Sequence, residues 1–224
     1  FYPPLIYYVA EFFHLIGFNL LWSLKLMIIT GSFVSSFGMY WLGKRFFDKK
    51  TGLLVATLFT FFFYRAITVY IRGAWAEFFA MSILPFVFLG LDNIYKNKNL
   101  KSTIVFSISL ALLVLAHPLI AFPAFFFVGL FFIYYFFNSE TRLIFLKNFL
   151  LGVFFGLSLS AFFWLPSLIE KRYTLVDAIL THELANYKIH FIYPFQLWFS
   201  PWGYGGSIEG PADGMSFQLG KIHI

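Results

Sequence analysis

Residues 102–139 read STIVFSISLALLVLAHPLIAFPAFFFVGLFFIYYFFNS, 38 residues without an Asp, Glu, Lys or Arg. As one helix the run would measure roughly 57 Å at 1.5 Å per residue, about twice the ~30 Å hydrocarbon thickness of a bilayer. It must turn back on itself. His117-Pro118 marks the turn, because proline disfavours helical geometry in the residue before it and His117 is the only ionisable side chain in the run apart from its tyrosines. Two spans follow, near 102–116 and 119–137. Working outward, charge-poor runs place four more near 20–43, 51–68, 76–94 and 147–166, with Lys25 able to snorkel at the start of the first and Trp164-Leu165-Pro166 closing the last. The fold class is all-α, a multispan transmembrane helical bundle of about six spans.

Composition agrees. The 224 residues are 60% hydrophobic and 12% charged, with 35 Phe, 13 Tyr and 6 Trp, and the mean hydropathy is +0.80. A soluble domain needs far more polar surface than this to cover its core. The formal charge of +6 does not form a nucleic-acid footprint, since the cations sit in short clusters between apolar runs. The absence of cysteine removes disulfide and thiolate chemistry.

Lys44, Arg45, Lys49 and Lys50 follow the first span, Lys96, Lys98 and Lys101 the third, and Arg142 and Lys147 the fifth. The positive-inside rule assigns those loops to the cytoplasm of a multi-pass plasma-membrane protein. The opposite side then receives three segments: the Arg65–Glu77 turn, the His117-Pro118 turn and a tail from Ser167. Residues 1–18, rich in aromatics with Glu11 and His14, suit a helix lying in the outer interface. Residues 19–169 form the transmembrane domain. Residues 170–224, with Pro194, Pro201, Pro211 and a run of glycines, read as an extracytoplasmic loop leading to a further span.

Arg72-Gly73-Ala74-Trp75-Ala76-Glu77 sets two opposite charges at a turn between oily spans. Ionised groups at membrane depth are costly unless paired or wet, which makes them functional candidates by default. Glu77 falls near a helix N-terminus, where the dipole favours a carboxylate. Gly73 permits a bend that either closes an Arg72–Glu77 ion pair or aims both groups at a ligand; the two readings carry about equal weight. Arg65 and Arg72, seven residues apart, share a face if the turn is helical, and two guanidiniums at an outer rim can grip a phosphate or pyrophosphate. His117 is a candidate base or phosphate contact, against the commoner reading of a polar group at a helix end. Tyr7, Tyr8, Trp75 and Trp164 offer stacking faces for a sugar or isoprenoid, against the ordinary aromatic belt. The histidines have no metal-ligand spacing. Glu209 and Asp213, flanking Gly210-Pro211, suit a solvated turn better than a cation site.

Several strings in order resemble the membrane family named 6-pyruvoyl-tetrahydropterin synthase-related: Phe1-Tyr-Pro-Pro-Leu5, Tyr64-Arg65, Arg72 to Glu77, His117-Pro118, Trp164-Leu-Pro166 and Gly214-Met-Ser-Phe-Gln-Leu-Gly220. That family is similar to bacterial YfhO-type proteins and, more remotely, to GT-C glycosyltransferases. The resemblance implies an integral membrane glycosyltransferase-like protein acting on a polyprenyl-phosphate-linked sugar at the outer face. Glu77 and His117 would be its catalytic residues, and Arg65, Arg72, Trp75 and Tyr7 would contact substrate. The cofactor is left undefined, with room for a divalent cation at Glu77, and the usual catalytic base of such enzymes would precede Phe1. The alternatives are a non-catalytic membrane scaffold and a lipid-linked glycan transporter. The family name does not imply pterin chemistry, since this chain has neither the polar composition nor the histidine cluster of the soluble zinc enzymes that bear it.

Overall fold

The computed structural model describes residues 2–175 and 187–221, and every regular element among them is helical. The chain runs α1 (Leu5–Leu15), α2 (Leu20–Phe46), α3 (Lys49–Thr60), α4 (Phe63–Tyr70), α5 (Trp75–Asn97), α6 (Leu100–Ala116), α7 (Pro118–Asn138), α8 (Arg142–Leu159) and α9 (Ala161–Ile169), with the short α10 (Pro194–Trp198) in the tail. Five stretches are long and apolar enough to cross a membrane: α2, α3 with α4, α5, α7 and α8. α6 has 17 residues, about 25 Å. It packs against α5, α8, α7 and α1 and leaves Ile104 and Ile108 exposed on its other face.

The helix boundaries follow local chemistry. Asn19, Asp48 and Asn99 cap α2, α3 and α6, each side chain accepting a hydrogen bond from a backbone N–H of the first turn at 2.7–2.9 Å. Lys44 and Arg45 lie in the last turn of α2, where cations favour the dipole. His117 is fully extended, at φ −165° and ψ 106°, and Pro118 opens α7 at the first helical position.

Two of the expected spans are broken. The 51–68 stretch splits at Phe61–Phe62, where Phe62 turns to ψ 129° before α4 begins. No proline or glycine announces that break. The last span begins at Arg142 rather than near 147, because Arg142 and Lys147 both join α8, and it stops at Ser160, where ψ is 0°. α9 follows as a separate segment carrying Pro166.

α5 is the central helix, touching α1, α2, α4, α6, α7 and α8. Its buried face, including Phe79, Ile83, Val87, Leu91 and Ile94, meets Met27 of α2 and Phe106, Leu110 and Leu113 of α6. Small residues let the backbones approach, as expected where lipid tails give no hydrophobic drive between helices. A Cβ on Gly52 would stand 2.7 Å from the Tyr40 carbonyl of α2, and one on Gly90 would stand 2.9 Å from the Phe106 Cα. Outside this core lies a skin of exposed Phe and Leu, among them Phe122, Phe126, Leu143 and Phe154. Apolar exposure on that scale suits a lipid-facing surface.

The bundle has two distinct ends. At one, Arg45 of α2 meets Asp92 and Asn93 of α5, Tyr135 of α7 meets Asp92, and Tyr95 packs on Phe145 of α8. The lysine- and arginine-bearing turns are at this basic end. The other end gathers the α4–α5 and α6–α7 turns.

Candidate functional site

Gly73 sits at φ +59°, a left-handed conformation that costs other L-residues energy. The turn closes with Ala74 N–H donating to the Thr68 carbonyl at 2.8 Å, and the indole N–H of Trp75 donates to the Val69 carbonyl at 3.3 Å. This bend brings Arg72 back onto Glu77, which lies in the first turn of α5.

The result is a closed polar ring. Arg72 Nη1 lies 2.9 Å from Glu77 Oε2 and donates to the Tyr64 hydroxyl at 2.6 Å, while that hydroxyl donates to Glu77 Oε1 at 2.6 Å. The Glu77 side chain is 8% exposed and that of Arg72 is 35% exposed, so the carboxylate is enclosed while the guanidinium opens outward. His117 stands within electrostatic reach of both. Burial holds its imidazole below the usual 6.5, with Glu77 drawing it up and Arg72 pressing it down to lesser degrees. Its Nδ1 is buried and makes no hydrogen bond. The ring therefore presents one outward cation and holds its carboxylate by both oxygens, while the unpartnered imidazole nitrogen of His117 is buried beside it.

The other candidates are placed differently. Arg65 does not share a target with Arg72, because α4 stops at Tyr70 and the chain reverses before Arg72. Arg65 points into the bundle at 2% exposure. Its Nη2 donates to Ser35 Oγ at 3.0 Å and Ser82 Oγ at 3.3 Å, and its guanidinium lies over Phe78 at 4.2 Å and Phe59 at 5.0 Å. Its Nε and Nη1 make no hydrogen bond. Trp75 pins the turn and packs on the core. Tyr7 is exposed on α1. Trp164 donates to the Leu157 carbonyl at 2.9 Å, a contact that ties α9 to α8.

The tail reaches this end through Trp202, whose ring meets Phe63 edge-on at 5.4 Å, beside Tyr64. Gln196, 1% exposed, organises that tail: its Oε1 accepts from Tyr193 N–H and its Nε2 donates to Asp213 Oδ2, both at 2.7 Å. Asp213 Oδ1 also accepts from Ile208 N–H at 3.0 Å, so its carboxylate is spent on the loop. Gly205 and Gly214 exchange close backbone contacts that a side chain would block. Among the described residues no three His, Asp or Glu side chains converge as metal ligands do. His182 and His223 lie outside the described residues.

Sequence reasoning gave no role to two residues of consequence, although Tyr64 stood in one of the family strings. Tyr64 bridges the ion pair, and its 13-residue separation from Glu77 follows no helical spacing, so only the tertiary structure reveals it. Asp92 is 1% exposed and accepts from Arg45 Nε at 2.5 Å and from the Tyr135 hydroxyl at 3.1 Å, with Lys96 Nζ at 3.3 Å. A lone acid between an apolar run and Lys96 was the available signal.

No curated protein and no solved structure matches the chain. The model of one family, described as the 6-pyruvoyl-tetrahydropterin synthase related domain, a membrane protein, matches residues 1–208, and the chain belongs to that family.

Proposed function

We propose that this protein is a plasma-membrane glycosyltransferase of GT-C type, moving a sugar from a polyprenyl-phosphate donor to an acceptor at the extracytoplasmic face, with its site at the Arg72–Glu77 end of the bundle. The observation that carries the reading is the ring of Arg72, Tyr64 and Glu77 beside the unsatisfied Nδ1 of His117. Arg72, the open member, would hold the donor phosphate and stabilise it as it leaves. Glu77 and Tyr64 would position that guanidinium and the acceptor. His117 would exchange a proton or contact phosphate through Nδ1 only after rearrangement uncovers that buried nitrogen. Trp75 and Tyr7 would meet sugar or isoprenoid only after rearrangement or along the membrane surface, and Arg65 would act from within the bundle rather than at the rim. A divalent cation would have to displace Arg72 from Glu77.

The test is transfer from a polyprenyl-phosphate-linked sugar in membranes carrying Glu77→Gln or Arg72→Ala. Each is expected to abolish transfer while insertion continues. Normal transfer by both variants removes the assignment.

The closed Arg72–Glu77 pair equally favours a second reading, a non-catalytic membrane scaffold in which the pair only fastens the turn. Exchanging the two residues, Arg72→Glu with Glu77→Arg, separates the readings: a scaffold keeps its function, whereas a transferase loses it.

A further inference from the structure

Toward the basic end, 9 to 16 residues along α5 from Glu77 and so roughly 14–24 Å away, lies a cavity of about 450 Å³ between α2, α5 and α6. Trp41, Phe86 and Leu89 form its apolar wall; Lys44, Arg45 and Asn93 form its polar rim. The Trp41 side is exposed on the bundle surface, so the cavity opens sideways as well as toward the basic turns.

The charge balance of the rim is uneven. Asp92 is the carboxylate that pairs with Arg45 and Lys96. Arg45 is held rigidly, with Nε on Asp92 and Nη2 on Asn93 Oδ1 at 3.0 Å. Among the described residues Lys44 has no acidic partner; its ammonium rests over the Trp41 ring at 4.6 Å. Of the two cations that line the rim, Arg45 is paired with Asp92 and Lys44 is left as a positive charge beside an apolar slot. A free inorganic anion would use the rim and leave the slot empty, while a neutral lipid would leave Lys44 unmatched. We propose that this cavity binds an anionic phospholipid of the leaflet at the basic end. Its phosphodiester lies against Lys44 and Arg45, and one acyl chain lies along Phe86 and Leu89. Basic pockets between transmembrane helices recognise such headgroups through these two complementary features.

Native mass spectrometry of the purified full chain, titrated with phosphatidylglycerol or phosphatidylcholine, tests the site. Phosphatidylglycerol is expected to bind about tenfold more tightly, and Lys44→Gln to lower its affinity about fivefold. Leu89→Trp, which fills the slot, should remove the bound lipid in protein whose thermal unfolding is unchanged. Lys50→Gln, at the same end but outside the cavity, should leave binding intact. The proposal is overturned by equal affinity for the two lipids, by a Lys50→Gln effect as large as that of Lys44→Gln, or by displacement of phosphatidylglycerol with excess inorganic phosphate alone. Should Leu89→Trp fail to fold, the comparison of Lys44→Gln with Lys50→Gln still decides.

Discussion

Arg65 is a buried cation with weak compensation. A guanidinium at 2% exposure with two serine hydroxyls, two aromatic faces and no carboxylate among the described residues recovers little of its hydration. Ser35 and Ser82 donate to backbone carbonyls of their own helices, so they need no arginine to be satisfied. Arg65→Met, which fills the same volume without charge, is therefore expected to raise the thermal unfolding midpoint in detergent or leave stability within about 1 kcal/mol. Arg65→Ala, by opening a cavity, should cost about 2–4 kcal/mol. Equal losses for Met and Ala would show instead that the guanidinium is stabilising. His117 makes the companion prediction. Its imidazole binds protons less readily folded than unfolded, so its contribution is full above pH 6.5 and is lost as pH falls toward its lowered folded value. Thermal unfolding followed from pH 7.5 down to about 5 should show a declining midpoint, and His117→Asn should flatten that decline. Glu77 and Arg72, which face the ring, stay in place in both proteins, so a decline unchanged by the substitution assigns the effect elsewhere.

The α4–α5 turn is where local backbone and tertiary contact decide the site together. Gly73 has open space around its missing Cβ, so the demand for glycine comes from its φ of +59° alone. Gly73→Ala should cost about 1 kcal/mol, Gly73→Asn less, and Gly73→Val more, because β-branching adds to the left-handed penalty. Thermal unfolding of the three variants checks the order; a Val variant as stable as Ala would mean that crowding or a shifted turn governs the position. This turn was readable in the sequence, since the motif paired a glycine with charges five residues apart between apolar runs. So was the His117-Pro118 reversal, which rests on length and proline geometry. The break at Phe61–Phe62 was not, because no residue there dictates ψ and the turn serves to swing Arg65 inward. Tyr64 and Asp92 escaped for a related reason: their partners lie on other helices, and spacing along one chain carries no record of them.

For the whole molecule, the decisive quantity is which way round the bundle sits. Hydrogen bonds and ring contacts join the basic turns at one end and the Tyr64–Arg72–Glu77 ring lies at the other, so fixing the side of one turn fixes all of them. Nine Lys and Arg residues in the turns and the helix ends that flank them at the basic end favour the cytoplasm for that end, and a site for a lipid-carried sugar then faces outward. The chain has no cysteine, so single substitutions report position without background. Cysteines at Lys50 and Lys98 are expected to react with a membrane-impermeant maleimide only after the cells are permeabilised. Cysteines at Leu119, beside His117 and 77% exposed, and at Glu209 in the tail should react in intact cells. The reverse pattern would turn the Arg72–Glu77 ring toward the cytosol and withdraw the extracytoplasmic transferase. It would leave the phospholipid site at the basic end in place, because that site depends on the rim charges and the slot and not on which leaflet supplies the lipid.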